Sequence, residues 1–179
     1  MSWKNSLFKS LLLSVGSVFP LNACTTIPGN AVPVRPFDLS RYLGHWYEIA
    51  RLDFKYERNL NNTTADYSLN PDGTVRVVNR GYNYVTHEEK EAVGKAKFAG
   101  SSDEGRLKVS FFGPFYSAYN VIALDAEYQY VMVAGKNLKY LWLLSREKTM
   151  PDSVKQAYLH QANAIGYDTA ALIWVEHNR

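Results

Sequence analysis

One cysteine in 179 residues, Cys24, rules out any disulfide within the chain. The fold must therefore be held by its core, and a chain of this length can bury one. Neither sign of charge dominates, since 20 Lys and Arg meet 17 Asp and Glu for a formal net charge of +3. With no basic stripe and no RNA-binding motif, nucleic acid is not an expected partner. His45, His87, His160 and His177 are scattered without metal-ligand spacing, so no metal and no cofactor are expected. No Gly-x-Ser-x-Gly elbow is present to present a serine nucleophile. No apolar run is long enough to cross a bilayer as a helix. Tyrosine, in contrast, is abundant at 13 residues. That suits strands with one apolar side and one wet side.

The first residues do not read as fold. Lys4 and Lys9 form a basic start, and Leu11 to Phe19 is a short apolar stretch, so residues 1–23 read as an export signal. Leu21-Asn22-Ala23-Cys24 resembles a bacterial lipobox, which gives the lone thiol a use as the site of lipidation. Thr25 follows Cys24 where an aspartate would retain the protein at the inner membrane. By resemblance to Gram-negative lipoproteins this favours the outer membrane, on its periplasmic side. More than one acyl chain on a cysteine makes a stable anchor. Without Lys4 and Lys9 the formal charge falls from +3 to +1. Residues 24–36 carry Pro28, Gly29, Pro33 and Pro36 and read as a tether. Residues 37–179 are left as the domain.

The domain is organised around Gly44-His45-Trp46-Tyr47-Glu48-Ile49-Ala50-Arg51, an aromatic run with strand alternation. Alternation puts Trp46, Glu48 and Ala50 on one face and Tyr47, Ile49 and Arg51 on the other. Asp38 to Leu43 before it is a candidate helical turn capped by Asp38. The polar stretch Asp53 to Asn62 after it is long for a hairpin loop, and long loops are often functional. Further strands are predicted at Thr63–Leu69, Val75–Tyr82, Glu88–Ala99, Arg106–Phe112, Tyr116–Leu124, Tyr128–Ala134 and Tyr140–Arg146. Turn signals such as Asn70-Pro71-Asp72-Gly73 separate them. The period then changes. Val154, Tyr158, Ala162 and Ile165 share a helical face between Pro151 and Gly166. Leu172 to Val175 reads as a last short strand.

Eight strands joined by local connections predict an all-β, up-and-down antiparallel meander. Closing it into a barrel removes both sheet edges, and eight strands enclose room for one small ligand. The face carrying Ala92, Gly94, Ala96 and Phe98 is mostly small, which keeps that wall open. The matching inward faces are Ala65 and Tyr67, Val77 and Asn79, Val109 and Phe111, Tyr119 and Val121, Val131 and Val133, and Tyr140 and Trp142. An apolar chamber with a few polar tips suits an elongated apolar ligand whose polar head stays at the rim. A barrel filled by its own side chains is the structural alternative.

Three runs resemble the signature regions of the lipocalin family: Gly44-x-Trp46-Tyr47-Glu48-Ile49-Ala50, Asn120 to Asp125 leading into Tyr128, and Leu143-Leu144-Ser145-Arg146. Phe111 to Tyr116 and Tyr119 to Asp125 are similar to the bacterial outer-membrane subgroup in particular. The resemblance spans Phe37 to Val175. It implies a carrier of fatty acids or lysophospholipids serving envelope maintenance, lipid transport or storage. It also implies that Gly44, Trp46 and Arg146 close one end of the barrel, with Trp46 as the plug and Arg146 over it. Tyr140 and Trp142 then look into the pocket. An enzyme acting on a lipid in the same barrel is the rival reading. Its nucleophile would not be Cys24, which lies outside the domain and is expected to be acylated. Glu48 is the carboxylate whose phase points inward, with an arginine or a tyrosine hydroxyl as its expected partner. The aromatics from Phe112 to Tyr116 would support a homodimer if exposed.

Overall fold

The computed structural model describes residues 27–179. The signal reading of residues 1–23 and the anchor at Cys24 lie outside the described residues. A short helix, α1 (Leu39–Tyr42), opens the domain, and the Asp38 carboxylate caps it by accepting the Ser40 N–H at 2.8 Å. Eight strands follow: β1 (Gly44–Arg51), β2 (Leu60–Leu69), β3 (Val75–Asn83), β4 (Glu88–Phe98), β5 (Arg106–Phe112), β6 (Phe115–Leu124), β7 (Tyr130–Ala134) and β8 (Leu141–Ser145). Each pairs antiparallel with its neighbour in sequence, and β1 pairs with both β2 and β8, so the sheet closes on itself. The expected eight-stranded up-and-down barrel is thus the observed fold.

The chain then forms α2 (Asp152–Ile165), a 3-10 turn at Thr169–Ala171, and β9 (Ile173–Trp174), which pairs with the far end of β1 outside the ring. Gly166 ends α2 at φ +107, a left-handed conformation glycine adopts without penalty. Tyr158 and Ala162 of α2 pack on the outward faces of β7 and β8, with Met132, Leu141 and Leu143, as a core outside the barrel. A second core lies inside it, built on Trp46, Tyr42, Phe37, Val121, Val131, Val133 and Leu144.

Three local features depart from the simple alternation. A bulge between Glu48 and Ala50 in β1 shifts the register, so Ala50 pairs with outward Leu143 and Arg51 with inward Trp142. Arg51 therefore turns into the barrel and Ala50 out of it, the reverse of strict alternation. Tyr128 is not in a strand. It sits at φ +57 in the β6–β7 turn, where its hydroxyl accepts the Asp38 N–H at 2.9 Å. Residues 27–36 do not hang free as a tether. Pro28 and Ala31 are buried, Val34 N–H donates to Val121 O at 2.8 Å, and Gly29 lies against Ile165 at the end of α2.

Candidate functional site

One end of the barrel is sealed. The Trp46 side chain is fully buried, and its indole N–H donates to Tyr42 O at 2.9 Å. The Arg146 guanidinium lies 3.8 Å above the ring. It also donates to five carbonyls: Nη1 to His45 O at 2.7 Å, Nη2 to Arg41 O and Leu43 O at 2.9 Å and to Tyr42 O at 3.2 Å, and Nε to Tyr128 O at 3.2 Å. The fork thus ties the end of α1, the start of β1 and the β6–β7 turn into one plate. Gly44 enters this plate at φ +97, and a Cβ there would stand 3.4 Å from Arg146 Nη1.

Above the plate the barrel is hollow. A chamber of about 1050 Å³ opens to solvent at the far end. Its wall holds Ala65, Tyr67, Ala92, Val109, Phe111, Tyr119, Val133, Tyr140 and Trp142 among the residues expected to face inward. Val77 and Ala96 lie deeper. They line a separate space of about 40 Å³ next to the plate, together with Tyr42, Tyr67 and Tyr119. Gly94, Phe98 and Val121 border neither space. Gly94 leaves room for the Phe111 ring, which a Cβ would meet at 2.8 Å. Phe98 packs edge-on against Phe37, with ring centroids 6.3 Å apart, and Val121 is fully buried near the closed end. The inward face of each strand is continuous, but only its outer half borders open space, because the plate and α1 fill the rest.

Three tyrosines form the polar part of the floor. Tyr119 OH shares hydrogen bonds with Tyr42 OH at 2.5 Å and Tyr67 OH at 2.9 Å. Burial raises all three phenol pKa values above the ordinary tyrosine range, so they remain neutral donors and acceptors.

The upper wall carries charge that alternation did not foretell. Arg51 Nη1 donates to Glu48 Oε1 at 2.7 Å, and both side chains are buried. Arg51 Nη2 donates to Glu57 O at 2.7 Å and Leu60 O at 3.0 Å, which pins the β1–β2 loop over the barrel. Glu57 descends from that loop and accepts the Trp142 indole N–H at 2.9 Å. Burial, then the nearby Glu48 charge, push the Glu57 carboxyl up to about 8. Burial also raises Glu48, against the pull of Arg51. The guanidinium thus pairs with the Glu48 carboxyl and reaches only the main chain of Glu57, whose carboxyl, with its pKa raised to about 8, stays largely protonated at neutral pH. Phe54 and Tyr56 of the same loop complete an aromatic chain across the opening. Tyr56 is 6.2 Å from Phe112, and Phe54 is 5.6 Å from Tyr140 and 6.1 Å from Trp142. Loop length was the one sequence signal for this segment. Arg51, Phe54, Tyr56 and Glu57 were not singled out as site residues. Among the described residues, no group of three or more His, Cys, Asp or Glu is placed to hold a metal.

A closed ring sealed at one end, with a largely apolar chamber open at the other, defines a ligand-binding barrel. Residues 37–177 match the model of the lipocalin-like domain, and the chain belongs to the lipocalin family. It is 47% identical over 168 residues to outer membrane lipoprotein Blc of Escherichia coli K12, covering 93% of this chain and 95% of that protein. The corresponding Vibrio cholerae protein is 46% identical, covering 94% and 98%. Temperature-induced lipocalin-1 of Arabidopsis thaliana is 34% identical over 78% of each chain. Insecticyanin from the tobacco hornworm Manduca sexta shares the fold, with a TM-score of 0.70 at 20% identity over 86% of this chain and 88% of that one.

Proposed function

We propose that this lipocalin is a lipid carrier at the outer membrane, anchored through acyl chains on Cys24 and facing the periplasm. Its cargo is a fatty acid or lysophospholipid, with the acyl chain in the chamber and the head at the rim. The carrying observation is the 1050 Å³ space itself, apolar along most of its depth and open at one end. It lies at the top of the range of about 300–1,000 Å³ usual for small-molecule sites, so it suits a long chain better than a compact metabolite. A filled, purely structural barrel does not fit that volume. The residues assigned to cargo contact are those on the chamber wall, with Trp142, Tyr140, Phe111 and Ala92 in its upper half. The bacterial relatives, named as outer membrane lipoproteins, favour the same location. Envelope maintenance through lipid transport or storage follows from the cargo.

Native mass spectrometry of the full chain purified from membranes tests this reading. One acyl lipid should leave each protein molecule, intact after prolonged incubation. Protein that carries no lipid and takes up none on titration would overturn the carrier reading. Release of hydrolysed lysophospholipid would favour the enzyme instead.

A further inference from the structure

Three phenols and one amide at the chamber floor leave hydrogen-bonding capacity unused. Tyr42, Tyr67 and Tyr119 each carry one O–H hydrogen. Two contacts join them, Tyr119 OH with Tyr42 OH at 2.5 Å and with Tyr67 OH at 2.9 Å, and each contact uses one hydrogen. One hydrogen of the three is therefore left over, whichever way the hydroxyls turn. Burial keeps all three phenols protonated, so that hydrogen persists through the ordinary pH range.

Asn79 supplies the complement. It stands at an inward position of β3, paired across the sheet with Ala65 of β2 and Ala92 of β4. Alanine offers no polar side-chain atom on either side. Asn79 Oδ1 is buried without a hydrogen-bond partner among the described residues. Folded proteins seldom keep a buried amide oxygen in that state, so this one asks for an explanation.

The spare donor and the spare acceptor border one space. Tyr42, Tyr67, Tyr119 and Asn79 all line the space of about 40 Å³ beneath the chamber. Tyr67, Tyr119 and Asn79 line the chamber as well, so the two spaces adjoin. One water takes about 30 Å³ of the liquid, so the lower space admits one small group and no more. The rest of its wall is hydrocarbon, Val77 and Ala96 included, and no charged side chain borders it. A carboxylate there would lack a counter-ion and could donate nothing to Asn79. A methyl group would satisfy neither partner. A hydroxyl both donates and accepts, and so satisfies both.

Given the carrier reading of the chamber, we propose that this floor is a subsite for a hydroxyl group at the far end of the cargo chain. The spare phenol hydrogen is donated to the cargo oxygen, and the cargo hydroxyl donates to Asn79 Oδ1. The favoured cargo is then an acyl chain hydroxylated at its terminal carbon, with one polar group at the rim and a neutral one at the floor.

The test is titration of the full chain with matched pairs of ligands, the straight-chain acids from dodecanoic to octadecanoic and their ω-hydroxy forms. In a floor without partners, the added hydroxyl is buried unsatisfied, and every ω-hydroxy acid binds more weakly than its parent. With the subsite, one length brings the hydroxyl to the floor, and that ω-hydroxy acid binds about tenfold more tightly than its parent. Asn79→Val removes the acceptor, and Ala96→Leu fills the space with hydrocarbon. Each should bring that ratio to one or below, with circular dichroism to show that the barrel is intact. The wild-type ratio decides the outcome even where a variant does not fold. Parent acids that bind while no ω-hydroxy acid binds more tightly keep the carrier reading and overturn the subsite. A preference that survives in folded Asn79→Val and Ala96→Leu places the hydroxyl elsewhere and also overturns it. Binding of neither member of any pair overturns the carrier reading, and the subsite with it.

Discussion

Removing the Arg146 cover from Trp46 should destabilise the barrel by an amount that depends on whether Trp46 is present. The guanidinium makes five bonds to main-chain carbonyls and stacks 3.8 Å above the indole. Ordinary hydrogen bonds contribute about 0.5–1.5 kcal/mol each, and water can partly replace these at a half-buried site. Arg146→Ala should therefore cost about 2–4 kcal/mol. Trp46→Ala deletes a fully buried indole and should cost about 3–5 kcal/mol. The stacking contact exists only when both residues are present, and such contacts are worth about 0.5–2 kcal/mol. The double variant should thus be less damaged than the sum of the singles by about 1 kcal/mol. Urea unfolding of the four proteins, with m-values checked for constancy, measures this directly. Additivity within about 0.5 kcal/mol would show that the stacking carries no energy. Arg146→Lys adds a control, since an ammonium keeps the charge but loses the planar fork. If that variant matched wild type, the five-carbonyl tie would be irrelevant.

Three further outcomes are expected. Ala92→Phe should fill the upper chamber and weaken binding of a long-chain fatty acid while circular dichroism stays unchanged, and equal affinity would remove Ala92 from the cargo wall. Glu57 has a folded pKa of about 8 against an ordinary 4.5, so the folded state holds the extra proton between those values. Its contribution to stability is complete below about pH 4.5 and lost as pH rises through about 8. Glu57→Gln should flatten the urea midpoint over that window and abolish the change in Trp142 emission near its upper end, and an unaltered pH profile would refute the assignment. Cys24→Ser should release the protein from the outer-membrane fraction, and a variant that still resists a carbonate wash would contradict the anchor.

The ring was legible because its strands alternate cleanly and its turns are signed by residues such as Pro71 and Gly73. Trp46 and Arg146 were legible as a pair through resemblance, and periodicity alone gave no reason to join residues so far apart. Depth inside the barrel was not legible. Ala92 and Ala96 share one face of β4, yet Ala92 borders the chamber and Ala96 the small space beneath it. What separates them is how high α1 and the plate fill the ring, a tertiary fact without local signature. Arg51 was misplaced because a bulge needs no unusual residue, and Ile49 looks like any strand position. Glu57 gave no sign of burial, since its loop is polar and its depth comes from the carbonyl bonds of Arg51.

Strand β1 is both the first strand of the ring and the one that closes it, and this fixes an order of events. The chain is made from its N-terminus, so Trp46 exists long before its cover. His45 O and Arg146 Nη1, which seal the plate, are 101 positions apart. Until β8 arrives, β1 can pair with β2 alone, and Trp46 has Tyr42 beside it, 5.1 Å away, but no Arg146 above it. Closing a contact of that span costs entropy, offset in part by the hairpins between, and non-local pairings of this kind fold slowly. The growing meander therefore spends its early life as an open sheet with two bare edges, which are prone to pair with other chains. The bond that completes the container is also the one that ends this vulnerable interval.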